Sequence, residues 1–82
     1  MKNIKWNKDR ELAEFLCEGT EKEIECAISM EALVNNFGGN PEHPMHSFYE
    51  NQNRIESIAL SLIQKQRFQE DGSILILSTD GI

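Results

Sequence analysis

The segment Glu23 to Gly39, EIECAISMEALVNNFGG, changes its hydrophobic period at Ser29. Before the serine, Ile24, Cys26 and Ile28 alternate with Glu23, Glu25 and Ala27, which is the two-residue repeat of a half-buried strand. After it, Met30, Leu33, Val34 and Phe37 recur at intervals of three and four, the stripe of an amphipathic helix. The block predicts a strand that feeds directly into a helix, with Ser29 as the N-cap and Glu31 at the positive end of the helix dipole. Asn35 to Gly39 close this helix after about two turns, with a glycine free to take the left-handed stop conformation.

The rest of the chain is read outward from that switch. Upstream, Ile4 and Trp6 flank Lys5 and suggest a short first strand, followed by a polar turn at Asn7-Lys8-Asp9. Leu12 to Glu18 predicts a second strand with Ala13, Phe15 and Cys17 inward, Glu14 and Glu18 outward, and Leu16 as an apolar exception outside. Glu18 to Glu21 is a turn around Gly19, and Lys22 to Ile28 returns as the other arm of a hairpin. Downstream, Pro44 fits a first helical turn, and Ser47 with Glu50 has capping-box spacing. Met45, Phe48, Ile55, Ile58, Ala59, Leu62 and Ile63 then share one face of a long second helix, with Asn51, Arg54, Gln64 and Arg67 opposite. A last strand spans Ser73 to Thr79.

These elements predict one small α+β domain over residues 1–82, an antiparallel sheet of three to four strands against two helices, in the order β-β-β-α-α-β. A chain of 82 residues buries roughly 60 to 65% of its unfolded surface, so the core is small. The last strand breaks the pattern of the others. Ile74, Leu75, Ile76 and Leu77 are consecutive, so both faces are apolar. A strand with helices on one side and water on the other should alternate. Cover must come from the N-terminal segment with Trp6 or from a second copy of the chain, and a homodimer through the sheet is the expectation.

Charge narrows the function classes. Lys2, Lys5, Lys8 and Arg10 stand against Asp9 in the first ten residues, whereas Glu11 to Glu31 holds seven glutamates against Lys22 alone. The net charge of -6 thus concentrates on the hairpin, which repels phosphate backbones and argues against nucleic acid as a partner. No apolar run approaches the roughly 20 residues that span a bilayer, and no apolar stretch follows the basic start as in a secretory signal. With two cysteines, Cys17 and Cys26, both at inward strand positions, a cytoplasmic protein is expected. Neither thiol has the basic surroundings that activate a nucleophile, and the acidic neighbours should raise their pKa values. His43 and His46, with Glu42 and Glu50 nearby, fall short of the four converging donors of a zinc site. No phosphate-binding loop or nucleophile elbow occurs, so no cofactor, metal or catalytic residue is expected.

The run CAISMEALVNNFG, then Phe48, then NRIESIA at Asn53 to Ala59, resembles a family of small bacterial proteins, domain of unknown function 1488, over about Phe15 to Ile63. The resemblance implies an α+β fold in a bacterial cytoplasmic protein and implies no activity. Most matching positions are core or cap. Glu31, Asn53, Arg54 and Glu56 are polar without an evident packing role. Arg54 is expected to pair with a carboxylate of the first helix or hairpin. Alternatively, Asn53 and Arg54, with Glu31, form a contact for an anionic small molecule or for a partner, as a binder or minor enzyme would require. The preferred reading is a non-enzymatic interaction or regulatory module acting as a homodimer, with an unidentified protein partner.

Overall fold

A computed structural model describes residues 1–18 and 22–79. The expected turn at Gly19 lies outside the described residues. Four strands, β1 (Lys2–Asn7), β2 (Leu12–Glu18), β3 (Glu23–Ser29) and β4 (Ile74–Ile76), form one sheet in the spatial order β1-β2-β3-β4. Three helices, α1 (Met30–Phe37), α2 (Pro44–Glu50) and α3 (Gln52–Gln64), lie between β3 and β4 in the chain. The α+β class holds.

The hairpin face is as the alternation requires. Ala13, Phe15 and Cys17 of β2 and Ile24, Cys26 and Ile28 of β3 are buried, and Ile74 and Ile76 of β4 join them. Ala32, Leu33, Phe48, Ile55 and Ala59 close the core from the helices. Ser29 caps α1, its Oγ accepting from the Ala32 N–H at 3.0 Å. Gly38 ends the helix in the left-handed region at φ 66°, and the Gly39 N–H donates to the Leu33 carbonyl at 2.9 Å.

Three expectations are corrected. First, the long second helix is two helices, so the described residues hold three. Asn51 leaves helical geometry at φ -115°, ψ 22°, and its Nδ2 donates to the Ser47 carbonyl at 2.9 Å. A short amide side chain that competes for backbone partners favours such a break. The apolar stripe survives it, because Phe48 and Ile55 both reach the core. Second, the sheet is mixed. β4 runs parallel to β3, Ile74 beside Cys26 and Ile76 beside Ile28. The helices return the chain to the end of the sheet where β3 begins, as a parallel crossover requires. Third, β4 has three residues rather than the expected seven. Beyond it, Asn36 Nδ2 donates to the Ser78 carbonyl at 3.1 Å and draws the chain toward α1.

Smaller differences follow the same local logic. Ser47 does not cap a helix; α2 already begins at Pro44, and the buried Ser47 Oγ donates to the Pro44 carbonyl at 3.1 Å. Arg67 lies beyond α3. Gln66 turns left-handed at φ 57°, its N–H donating to the Ile63 carbonyl and that of Arg67 to the Leu62 carbonyl. This is a Schellman stop built on a residue with a Cβ, which disfavours that conformation. Gln66→Gly should therefore raise stability by about 0.5–1 kcal/mol. Urea unfolding of the variant should show a higher midpoint at unchanged slope; an equal or lower midpoint would remove the strain argument.

Candidate functional site

The polar positions singled out from the sequence are dispersed along the helices. Glu31 stands in the first turn of α1 and accepts from the Ser78 hydroxyl at 2.7 Å. With the Asn36 bond to the same residue, it pins the chain after β4 against α1. Arg54, in the first turn of α3, finds a ring rather than the expected carboxylate. Its guanidinium carbon lies 4.9 Å from the centroid of Phe37, the last residue of α1. A cation over an aromatic face at an exposed position contributes about 0.5–1 kcal/mol and here links two helix ends. Asn53 is exposed beside it, and together they line two shallow hollows of about 260 and 380 Å³. Glu31 lines neither hollow. Asn53 and Arg54 are thus neighbours, while Glu31 works at the opposite end of α1. Glu56 accepts from the Met1 ammonium at 2.6 Å, which fastens the start of β1 to α3.

The two thiols share the buried face of the hairpin. Cys17 pairs with Ile24 and Cys26 with Phe15, so they are diagonal neighbours. Both are free thiols. A hydrogen bond between them pushes Cys26 well above the ordinary thiol range, with burial adding to it. The same bond lowers Cys17, outweighing burial and the upward push of the Glu56 carboxylate that the acidic surroundings predict. His43 and His46 stay apart in role: His46 Nε2 lies 3.2 Å from Glu50 Oε1, while His43 precedes Pro44 at the start of α2. Among the described residues no group of three or more His, Cys, Asp or Glu could hold a metal ion, and no helix is long and apolar enough to cross a membrane.

The surface that sequence reasoning left in outline is the face of the sheet away from the helices. Ladder register assigns its rows. Lys5, Glu14, Ala27 and Leu75 lie side by side across the four strands, and Lys2, Leu16 and Glu25 form the next row. Leu12 is buried within this face, and Leu16, Ala27 and Leu75 are half-buried. Lys2 pairs with Glu23, and Lys5 lies 3.8 Å from Glu14. A groove of about 420 Å³ crosses the β3–β4 side, bordered by Arg10, Glu25, Glu70, Asp71 and Leu75. Its rim is a turn in which the Asp71 carboxylate accepts from the Ser73 hydroxyl at 2.6 Å and from its N–H at 2.9 Å. Those bonds hold the Asp71 carboxyl below the usual carboxylate range. The alternation Leu12-Glu14-Leu16 and the run Ile74 to Leu77 carried the signal for this face.

Trp6 does not cover it. It pairs with Ala13 on β1, at the opposite edge of the sheet from β4, and lines a hollow with His43, Pro44, Met45 and His46 on the helix side. Leu75 therefore receives no cover from the first strand.

The architecture is that of a small α+β protein with a helix-covered core and a half-apolar sheet face turned away from the helices. The chain belongs to the DUF1488 family, described as "Protein of unknown function (DUF1488)", whose model matches residues 2–76. In fold it is similar to the 1.60 Å crystal structure of a protein of unknown function of that family from Shewanella loihica PV-4. That likeness has a TM-score of 0.79 at 22% identity and covers 92% of this chain and 86% of the other. No curated protein matches.

Proposed function

We propose that the chain is a non-enzymatic protein-interaction module that works as a homodimer through the open face of its sheet. The observation that carries this reading is the half-apolar strip Leu16, Ala27 and Leu75, which lies on the face of the sheet away from the helices and which β1 does not cover. A flanking border of lysines and glutamates gives the strip a polar rim, the usual anatomy of a non-obligate interface. The dispersal of Glu31 from Asn53 and Arg54 takes one group away from the alternative, an anion site, and so favours the interaction reading.

Size sets the expected strength. Strands about 4.8 Å apart and roughly 20 Å long present on the order of 400 Å² of face per copy in projection. Stable specific interfaces bury about 800 Å² on each partner, so a weak dimer with Kd in the micromolar range, roughly 1–100 μM, is expected. Leu16→Arg with Leu75→Arg puts two cations on the strip without touching the core side. The double variant should keep the wild-type circular dichroism spectrum and elute as a monomer under light scattering at loadings where wild type dimerises. A variant that dimerises as wild type does would overturn the assignment to this face.

A further inference from the structure

We infer that the two copies meet face to face about a twofold axis parallel to the strands, so that the lysines of β1 in one copy enter the acidic β3–β4 groove of the other. This rests on the homodimer reading and adds its orientation and contact residues.

The argument is one of symmetry and sign. Two sheets packed face to face with strands aligned admit two twofold operators. An axis perpendicular to the strands lays each strand over its own copy. With the axis through the Lys5 row, β1 then sets Lys5 on Lys5 and β2 sets Glu14 on Glu14; with the axis between the rows Lys5 meets Lys2, so β1 puts like charge on like in both cases. An axis parallel to the strands reverses the strand order instead. β1 then lies over the partner's β4, because these are the two edges of the sheet. Row by row, Lys5 comes over the Leu75 position, and Lys2 comes over the residue preceding Ile74, beside Glu25 and the Glu70-Asp71 turn.

The charges fit that second arrangement. The groove brings Glu25, Glu70 and Asp71 together against Arg10. Lys2 and Lys5 keep side chains 54% and 73% exposed despite their intrachain pairs, so both ammonium groups are available to a second carboxylate. Because the interface is isologous, each contact occurs twice. Between the flanks Leu16 faces the partner's Glu25 position and Ala27 faces Glu14, whose carboxylate is already held by Lys5 and Asn7 of its own chain. Charge thus selects the register, while the apolar strip supplies the burial.

Charge exchange between two chains tests this. Chain one carries Lys2→Glu and Lys5→Glu; chain two carries Glu25→Lys and Glu70→Lys, and thermal melts establish that each is folded. In sedimentation velocity at low salt, each chain alone should self-associate at least about tenfold more weakly than wild type. An equimolar mixture should restore a heterodimer within about threefold of wild-type affinity, since both contact regions regain opposite charges. Salt at about 1 M should relieve the repulsion within each charge-reversed homodimer, because the Debye length falls to about 3 Å. If chain one fails to fold, chain two alone decides, by its weakened dimer and its recovery in salt. A wild-type dimer with both variants unaffected would overturn this orientation and leave the homodimer standing. A monomeric wild type would overturn the homodimer itself.

Discussion

Phe48→Ala should leave the chain largely unfolded or lower its Tm by at least about 15 °C. Phe48 is fully buried, its ring 5.5 Å from that of Phe15 on the sheet and 5.7 Å from Tyr49. It is the side chain through which α2 reaches the hairpin, and the core cluster has few members large enough to close over its loss. Removing a buried phenylalanine costs about 3–5 kcal/mol, the lost transfer plus a cavity that relaxes only in part. At about 0.05–0.15 kcal/mol per residue a domain this size has roughly 4–12 kcal/mol in total. Phe48→Leu, which keeps most of the volume, should cost far less. Urea denaturation of both variants checks this, and a loss below about 1 kcal/mol for the alanine variant would mean that Phe48 does not anchor α2.

Gly39→Ala is the second large effect, and it acts through crowding. A Cβ at Gly39 would collide with the Ser47 hydroxyl and come within 2.9 Å of the Leu33 carbonyl oxygen. The hydroxyl is itself bonded to Pro44, and the carbonyl is part of the α1 stop, so neither yields freely. Overpacking of this kind costs about 1–3 kcal/mol. The usual effect of glycine to alanine at an open, compatible site is a gain of about 0.4–1 kcal/mol, so the sign discriminates. Adding Ser47→Gly should recover part of the loss, giving a non-additive double-mutant cycle. A stabilised Gly39→Ala variant would show that α1 and α2 do not approach as closely as described.

What the sequence disclosed was what neighbours in the chain decide. The Ser29 cap, the Gly38 stop and the inner face of the hairpin depend on residues within one turn or one strand repeat, and all three stand where the periodicity put them. The break at Asn51 escaped because the stripe through Phe48 and Ile55 keeps helical spacing across a single non-helical residue. The direction of β4 depends on how many helices intervene, and the unbroken stripe hides one of them at the same residue. The polar positions were legible as a set but not in their partners. Arg54 meets Phe37 and Glu31 meets Ser78 across turns and elements whose spacing carries no local signal.

The open face was half legible. The run Ile74 to Leu77 announced apolar side chains on both sides of the last strand, and β4 does bury Ile74 and Ile76 while turning Leu75 outward. Which of two candidates covers the outer side required the strand order. Trp6 sits at the far edge and faces the helices, so it does not supply that cover, and the second copy is the proposed cover.

Sedimentation equilibrium from about 1 to 500 μM tests that claim most directly. A homodimer gives a weight-average mass that rises with concentration from the 9.4 kDa monomer toward twice that value. A mass that stays at 9.4 kDa across the whole range would contradict it.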